Sequence, residues 1–568
     1  MAIRLRCFLR RQTIRKPNVH SAGCYIYGIT IINLNTKAGN TLPSLSFLRC
    51  SSCRYYATIA HYYRLNLIFV IMTFLPVILW TDALIYLLLA AAIVLGIYAR
   101  RHEHVLASWR KVMHSPSGMS ALTILLCFVL IGLLDTVHFR PAMEQSRSSG
   151  EVVYSAEVLS LFDLLAAPLR LQVEKTYSAP LSAYLYAKQM IVTAEGEQAW
   201  DFARLTFGGA HLHDPEKELA SDVWWRSVAG AGVGVLIWAG LVACLCGMQA
   251  RRYRISFARM QTAIWRGATE IPWRAVLITL AAVLAVGGAV MALVTHYHVL
   301  GTDKVGQDVL YLSLKSIRTG LVIGTLTTLI MLPFALLLGI AAGYFRGWVD
   351  DVIQYIYTTL NSIPSVLLIA AAVLMMQVYI ETHADMLDTT AARADLRLLF
   401  LCIILGITSW TGLCRLLRGE TLKLREMEYI QAAHAFGVSH WRIITRHILP
   451  NVIHIVLITT VMDFSSLVLA EAVLSYVGVG VDPSTISFGT MINASRLEMA
   501  REPMVWWTLF AAFTFMLALV LSANLFSDAV QDAFNPHSRA RVNDSDEYLK
   551  DQDAAEETVS SDQKSLRT

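Results

Sequence analysis

Charged residues are scarce in this sequence. Of its 568 residues, 16% are Asp, Glu, Lys or Arg and 55% are hydrophobic, whereas a soluble chain carries closer to ~25% charged residues. The mean hydropathy is +0.51, and several apolar runs reach ~17–25 residues, the length with which a helix spans a bilayer. This composition excludes a soluble globular protein and predicts an all-α polytopic membrane protein.

Cysteine pairs that would indicate a disulfide framework are also missing. None of the nine cysteines falls in a segment that we predict to lie outside the membrane, where disulfides form. Cys50 and Cys53 make a lone C-x2-C without a second pair, which is weak evidence for metal or redox chemistry. The nine are Cys7, Cys24, Cys50, Cys53, Cys127, Cys244, Cys246, Cys402 and Cys414.

Acidic residues are absent from residues 1–64, which carry many Arg and Lys and show no clear period. We interpret this basic N-terminal tail as disordered, or as translated sequence upstream of a misplaced start codon; a targeting sequence is the alternative. The C-terminal tail, 538–568, is instead acidic and polar, and its composition predicts disorder.

The sequence lacks the motifs of an enzyme. A phosphate-binding loop, GxxxxGK[ST], does not occur, because Gly301 and Gly306 are not followed directly by a phosphate-binding lysine–serine pair. The hydrolase patterns G-x-S-x-G and H-E-x-x-H are absent as well. We therefore predict no catalytic residues and no cofactor in this chain, so the energy for any transport must come from a separate subunit.

The apolar runs predict ten spans with both termini inside, because basic residues flank their inner ends. About 85 mostly polar residues, 138–225, follow the third span and are predicted to form an external insertion. The fourth span returns to a strongly basic inner loop. The predicted spans are 65–80, 83–98, 120–134, 228–248, 275–294, 321–344, 364–380, 398–413, 452–474 and 506–526.

A polar, basic segment of about two dozen residues, 428–451, lies between two of these spans. A Gly-Val-Ser sequence at 437–439 divides it into two short helices, and Pro450 is predicted to end the second one before the membrane. The glycine permits the sharp break. Ala432 and Ala433 are small enough for the first helix to enter a groove of a partner.

This segment resembles the Glu-Ala-Ala loop of ABC-importer inner-membrane permeases. In that pattern Glu-Ala-Ala is followed by three residues, Gly, nine residues and Ile-x-Leu-Pro; here Gln431 replaces Glu and His447 replaces the first Ile. The flanks LGTDKVGQDVL, GYFRGWVDD and SDAVQDAFNPHSR, and the external segment 474–496, are similar to those of the dipeptide/oligopeptide/nickel permease family. The chain is identified as a member of that family, of the C-type permease subunits.

The resemblance covers about 295–537 and implies a type I ABC-importer-like core of six spans. We place this core at 275–537, preceded by about four extra spans in 65–137 and 226–274. TVHFRP after the third span also resembles the end of the family's first span. If this sequence marks the first core span, the extra spans and the external residues are an insertion just after the N-terminus of the family core.

The implied function is the transmembrane permease subunit of an ATP-driven importer for peptides or peptide-like solutes, in the inner membrane of a bacterium. The implied partners are a homologous second permease subunit, two ATPase subunits that bind ATP and Mg²⁺, an extracytoplasmic binding protein and the lipid bilayer, but no nucleic acid. The residues implied to couple the ATPases to transport are Glu428, Gln431, Ala432, Ala433, Gly437, Arg442, Arg446, His447, Ile448, Leu449 and Pro450.

Asp463 and Glu471 lie within an apolar run, where an ionisable side chain is costly and marks a functional-site candidate. We predict that they line the translocation path; the alternative is a charge paired inside the bundle or lying near the outer membrane face. Histidine pairs at 211–213 and 296–298 are sparse, and two histidines do not make a metal site. No metal site is predicted.

Other functions stay open at this point. A secondary transporter would need charged relays in several spans and inverted repeats. An ABC importer for nickel or another non-peptide solute would share the same loop. A membrane enzyme and a permease-like sensor are further alternatives.

Overall fold

The computed structural model describes residues 74–101, 103–142, 154–192, 198–267, 269, 271–383 and 389–534. The predictions for the tails 1–64 and 538–568 lie outside these residues. The strands are β1 (Phe74–Val77), β2 (His138–Pro141), β3 (Leu159–Ser160), β4 (Tyr184–Val192) and β5 (Gln198–Arg204). The helices are α1 (Trp80–Arg100), α2 (Glu103–His114), α3 (Pro116–Asp135), α4 (Leu161–Leu165), α5 (Ala167–Leu171), α6 (Pro215–Tyr253), α7 (Phe257–Arg266), α8 (Trp273–Val294), α9 (Val309–Phe345), α10 (Trp348–Ser362), α11 (Ser365–Thr382), α12 (Thr390–Ser409), α13 (Thr411–Arg425), α14 (Glu428–Ala435), α15 (His440–Ile443), a π-helical turn (Ile444–Ile448), α16 (Leu449–Tyr476), α17 (Phe488–Glu498) and α18 (Trp507–Phe534).

Eight helical segments in the described ranges are long and apolar enough to cross a membrane. They are α3, α6, α8, α9, α11, α12 with α13, α15 through α16, and α18. Helix α1 adds a shorter apolar stretch, Trp80–Val94. The predicted polytopic α-helical fold is confirmed. We call the end of the bundle that carries the strands the outer end, and the end that carries α14 and α15 the inner end.

Helix α9 is the centre of the bundle. The Asp308 carboxylate caps its outer end, accepting hydrogen bonds from the backbone N–H groups of Leu310 at 2.8 Å and Tyr311 at 3.3 Å. Over 37 residues α9 packs against α3, α12, α13, α16 and α18. One continuous helix therefore links the outer end of the core to the inner loop.

The predicted pair of spans at 65–80 and 83–98 is wrong in the described residues. Phe74–Val77 is a strand that pairs antiparallel with β2, and Thr81 and Asp82, the predicted break, lie in the first turn of the single helix α1. Their side chains bond to charged residues of α9 and α12. Polar side chains whose hydrogen bonds are satisfied by tertiary contacts can lie within a helix. A prediction based on the length of apolar runs instead reads them as a turn between two spans.

Helices α6 and α8 form a close antiparallel pair with α7 between them at the inner end. A Cβ built on Gly230 would lie 2.3 Å from the Gly288 carbonyl oxygen, and one on Gly234 would lie 2.1 Å from the Leu284 carbonyl oxygen. Small residues of this kind let the backbones of membrane helices approach. Trp238 Nε1 also donates to a carbonyl of α8 at 2.8 Å.

Helix packing bears on which span begins the permease core. Helix α3 packs against α9 and α18, whereas α8 packs mainly against α6 and otherwise against α3 and α7. A Cβ on Gly132 would meet the Leu321 side chain of α9, and one on Gly118 would meet Ala529 of α18. We infer that α3, which runs into the TVHFRP sequence, is the first core span. The α6–α8 pair is then part of an insertion.

The external insertion, 138–225, is fixed to the outer end of α9. Its residues 172–183 run along the external segment before α9, with the Glu174 N–H donating to the Gly306 carbonyl at 2.9 Å. Ser178 N–H donates to Thr302 Oγ1 at 2.7 Å, and Thr302 N–H donates back to the Ser178 carbonyl at 3.1 Å. Trp507 Nε1 of α18 donates to the Thr302 carbonyl at 3.0 Å. The insertion is thus integrated into the core surface.

Candidate functional site

The loop predicted to couple ATP hydrolysis to transport forms two short helices, α14 and α15, at the inner end. Helix α14 ends in a Schellman motif, in which Val438 N–H donates to the Ala433 carbonyl at 3.1 Å and Gly437 N–H to the His434 carbonyl at 3.0 Å. Gly437 has a φ of +71°, a left-handed conformation that glycine adopts without steric cost. The chain therefore turns sharply at the predicted glycine.

The second short helix does not end at Pro450 as predicted. Helix α15 continues through the π-helical turn Ile444–Ile448 into the span α16. Leu449 N–H bonds to the Ile444 carbonyl, five residues back. Pro450 falls in the first turn of α16, where the widened turn accommodates its ring and its missing N–H is not needed. The loop and this span are consequently one helical piece.

Buried isoleucines anchor the loop to the bundle. Ile430 of α14, Ile443 of α15 and Ile448 of the π turn are all 0% exposed. They lie in one apolar cluster with Tyr344 of α9 and Leu417 of α13. Because protein interiors are close-packed, a displacement of the loop is transmitted to these helices.

The hydroxyl of Tyr344 joins the two short helices across the glycine break. It lies 3.0 Å from His434 Nε2 in α14 and 2.8 Å from His440 Nδ1 in α15. The hydroxyl can donate to one imidazole and accept from the N–H of the other. Sequence reasoning missed this residue, although a tyrosine at the inner end of an apolar run was a visible signal.

The outward face of the loop combines aromatic and basic side chains. Phe436 is 87% exposed and Trp441 is 70% exposed. Arg442 and Arg446 are exposed, and within the described residues neither makes an ion pair. Large exposed apolar groups rimmed by charge mark a surface for protein contact.

The remaining predicted loop residues divide between that face and the interior. Glu428 and Ala432 are exposed, whereas Ala433 packs partly against the apolar cluster. Gln431 Nε2 donates to a backbone carbonyl of the preceding turn at 3.1 Å. The His447 carbonyl accepts from an asparagine side chain one turn further on, at 2.7 Å. Only one of the two small alanines thus faces outward.

The two acidic candidates of α16 have different surroundings. The Glu471 side chain is buried, and its carboxylate accepts hydrogen bonds from Ser475 Oγ at 2.7 Å and Ser487 Oγ at 2.8 Å. Ser487 is the N-cap of α17, so Glu471 fixes this short outer helix against α16. Asp463 is half-buried, and no hydrogen bond to its carboxylate is present among the described residues. Asp463 is therefore the more available of the two to contact a solute in the translocation path.

A buried charged cluster near the outer end was missed by sequence reasoning. Arg318 of α9 donates to Asp82 of α1 at 2.6 Å, and His138 Nδ1 lies 2.7 Å from the same carboxylate. Asp395 of α12 accepts from the Thr81 N–H at 3.2 Å. These contacts fasten α1 to two core spans, and removing one partner of such a buried pair is strongly destabilising. Asp82, Arg318 and Asp395 all lie just outside the predicted spans, so the apolar runs gave no signal for this cluster.

One histidine of each sequence pair, 211–213 and 296–298, contacts carboxylates. His211 Nε2 lies 2.9 Å from Asp222 Oδ2. His298 Nδ1 lies 2.8 Å from Asp308 Oδ2, and its Nε2 lies 3.7 Å from Glu174 Oε1. In the part of the chain that the structure describes, no group of three or more His, Cys, Asp or Glu side chains is placed to hold a metal ion.

The fold and the loop define a multi-pass membrane permease. Residues 335–540 match the family model described as binding-protein-dependent transport system inner membrane component. Over 243 residues the chain is 34% identical to the oligopeptide transport system permease protein OppC of Mycobacterium tuberculosis, covering 43% of this chain and 77% of that protein. The chain belongs to this family of ABC-importer permeases, as the sequence predicted, and is a multi-pass inner-membrane protein.

Two further relatives have related names. The glutathione transport system permease protein GsiD of Pectobacterium atrosepticum is 31% identical over 239 residues, 42% of this chain and 72% of that protein. The dipeptide transport system permease protein DppC of Lactococcus lactis subsp. cremoris is 29% identical over 241 residues, 42% of this chain and 64% of that protein. These relatives are permease components of transporters, so this chain is a transport subunit that works with ATPase partners in a membrane.

Proposed function

We propose that this chain imports peptides or peptide-like solutes as one permease subunit of an ATP-driven transporter. The observation that carries the proposal is the aromatic and basic face of the inner loop, held on a buried cluster that reaches into the spans. The family description supports an importer that depends on a binding protein. The names of the three relatives, which concern an oligopeptide, glutathione and a dipeptide, support a peptide solute.

Four partner subunits complete the proposed transporter. A homologous second permease subunit shares the translocation path, an extracytoplasmic binding protein delivers the solute, and two ATPase subunits bind ATP and Mg²⁺. This chain contributes no catalytic group. Phe436 and Trp441 enter a groove of the ATPase, as amphipathic helices do in their receptors. Arg442 and Arg446 at the rim favour an acidic partner surface.

The geometry provides two routes from the ATPase to the spans. Movement of α14 reaches α9 and α13 through Ile430, Tyr344 and Leu417, which share the buried cluster. Movement of α15 reaches α16 directly, because the two are continuous through the π turn. Since packed helices have discrete arrangements, ATP binding shifts the bundle between inward- and outward-open packings.

A cavity of about 670 Å³ at the outer end is the proposed place where the solute enters. It lies between the segment before α9, helix α17 and Tyr177 of the insertion. Asp303 and Glu498 contribute negative charge to its lining, and Lys304 and Arg496 contribute positive charge. Charges of both signs suit a zwitterionic peptide, which carries an amine and a carboxylate.

Gly437 offers a test with a matched control. At a φ of +71° Asp and Asn are the non-glycine residues that best tolerate the backbone, and a Cβ there meets nothing within 4 Å. Gly437→Asp places a charge in the docking face, where burial of an unpaired charge is costly, whereas Gly437→Asn does not.

Both variants are expected to insert in the membrane normally. We expect Gly437→Asp to lose solute uptake and binding-protein-stimulated ATP hydrolysis in reconstituted vesicles, and Gly437→Asn to keep most of both. Stimulated hydrolysis that survives in Gly437→Asp would show that this loop does not carry the coupling.

A further inference from the structure

The inner end of the α6–α8 pair carries a strongly basic surface. The stretch 247–267 contains no Asp or Glu. Its arginines, and the one at the start of α8, are exposed, and within the described ranges none of them makes an ion pair. They are Arg251, Arg252, Arg254, Arg259, Arg266 and Arg274. These arginines lie outside the coupling loop 428–451.

A cavity opens within this surface. It measures about 370 Å³ and lies between the end of α6, helix α7 and the start of α8. Arg252, Gln249 and Thr269 line its polar part, and Tyr253 and Trp273 line its less polar part. A second cavity of about 500 Å³ also includes Thr269 in its lining, together with Arg274 and His114. We call the first cavity, with Arg252 beside Tyr253 and Trp273, the basic recess; the second adjoins it at Thr269.

Helix α7 places this recess at the membrane surface. It is joined at both ends to apolar helices long enough to span a bilayer. Its Met260 and Ile264 are buried against the pair of spans, while Phe257 and Trp265 are 46% and 38% exposed. Aromatic side chains concentrate at the level of lipid headgroups.

We propose that this recess binds the phosphodiester headgroup of an anionic phospholipid of the inner leaflet. Clusters of arginine directly next to a membrane span, and basic pockets between spans, are the features that recognise such headgroups. Arg252 meets the phosphate, and Tyr253 and Trp273 lie along the glycerol and upper acyl region. A soluble phosphate would need only the charge, whereas the aromatic wall and the position between two spans fit a lipid. This binding is independent of the proposed transport function.

The test compares two arginines of the same surface. Arg252→Gln removes a side chain that lines the recess, and Arg259→Gln removes an equal charge from α7 outside it. The full chain in neutral detergent is titrated with dioctanoyl phosphatidylglycerol, dioctanoyl phosphatidylcholine and inorganic phosphate, and bound lipid is counted by native mass spectrometry. One arginine near the surface contributes about 1 kcal/mol, so Arg252→Gln should weaken phosphatidylglycerol binding roughly fivefold.

We expect phosphatidylglycerol to bind in preference to phosphatidylcholine. Arg259→Gln should lose less than about twofold, because Arg259 does not line the recess and acts on the headgroup only across screening solvent. Arg252→Lys should retain binding. If Arg252→Gln aggregates, Arg274→Gln in the adjoining cavity gives the same test. Equal binding of the two lipids, equal losses in the Arg252 and Arg259 variants, competition by millimolar phosphate, or displacement by an RNA oligonucleotide would each overturn the proposal.

Discussion

The hydroxyl of Tyr344 is the one polar link between α9 and both halves of the inner loop that the described residues show, and its removal tests whether that link carries movement. Tyr344→Phe keeps the buried ring but loses the contacts to His434 and His440. The exposed imidazoles then bond to water, so we expect a stability loss of about 1 kcal/mol and normal assembly. Binding-protein-stimulated ATP hydrolysis, measured in proteoliposomes, should fall several-fold.

Tyr355→Phe is the control for this prediction. Tyr355 lies on α10, the next helix, and is 74% exposed, so the same change there should leave hydrolysis unchanged. Full stimulation in Tyr344→Phe, or equal losses in both variants, would mean that the tyrosine hydroxyl serves packing alone.

Glu471 allows a structural role to be separated from a role in the translocation path. Glu471→Ala leaves the buried hydroxyls of Ser475 and Ser487 without their acceptor, and we expect it to lower the free energy of unfolding by about 2–4 kcal/mol. Glu471→Gln keeps an acceptor oxygen, so it should lose only about 1 kcal/mol and retain uptake. Uptake abolished in a thermally stable Glu471→Gln protein would instead place the charge in the solute path.

Single-residue predictions from the sequence succeeded where local chemistry decides the structure. Gly437 was predicted to divide the loop because glycine permits a sharp break in the backbone, and it adopts the left-handed conformation there. Tyr344 was missed because its partner His434 is 90 positions away in the chain. Pro450 was misjudged because a proline that would end an α-helix is accommodated by a π turn.

At the scale of elements, the external insertion is attached to the segment before α9 through a buried group of charges. Glu174 accepts hydrogen bonds from three successive backbone N–H groups, those of residues 206–208, at 2.9, 2.7 and 3.3 Å. Burial opposes ionisation, but the adjacent His298 and these N–H groups lower the pKa of Glu174 from its ordinary 4.5 to about 2. Burial likewise opposes the imidazolium, yet Asp308 and Glu174 raise the pKa of His298 from 6.5 to about 9.

These two pKa shifts set the pH range in which the external insertion is most stable. A lowered carboxyl pKa stabilises the fold above about pH 4.5, and that contribution is lost as the pH falls toward 2. A raised imidazole pKa stabilises the fold below about pH 6.5, and that contribution is lost as the pH rises through 9. We expect amide exchange in residues 174–208 to be slowest between about pH 4.5 and 6.5, after correction for intrinsic rates, and to accelerate by pH 9.

His298→Gln should remove the alkaline part of this dependence and reduce the acid part without abolishing it, because the backbone N–H groups of residues 206–208 still bond to the Glu174 carboxylate. His213→Gln changes a neighbouring exposed histidine and should leave the profile unchanged. A wild-type profile that is flat between pH 6.5 and 9 would contradict the buried ion pairs.

The elements that the sequence mispredicted share a physical cause. The run 65–80 has the apolar content of a span, yet its described part pairs as β1 with a strand after α3. Hydropathy measures how readily side chains transfer from water to an apolar phase. It does not show which strand is available to pair with the backbone. The π turn and the α6–α8 contact through Gly230 and Gly288 depend in the same way on neighbours in space.

At the scale of the whole molecule, apolar length and basic loops were sufficient to predict the class of fold, because the bilayer imposes both. The order in which the spans pack was not accessible from these signals. Helix α3 rather than α8 lies against α9 and α18, and this follows from complementary surfaces such as Gly132 against Leu321. The transport family was predictable because the loop at 428–451 carries a specific pattern.

The sidedness of the molecule yields a final prediction. The exposed arginines of 251–274 lie at the same end of the bundle as α14 and α15, so the positive-inside rule places both in the cytoplasm. Ser221, exposed near the start of α6, then lies outside, and Ser439 and Thr262 lie inside. Single cysteines at these positions, in a chain whose natural cysteines are replaced by serine, should react with a membrane-impermeant maleimide in spheroplasts only at 221. Permeabilised cells should label all three, which shows that each site is reachable. Labelling at 262 but not at 439 in intact spheroplasts would put α7 on the opposite side from the coupling loop, and it would exclude both this order of spans and a lipid site in the inner leaflet.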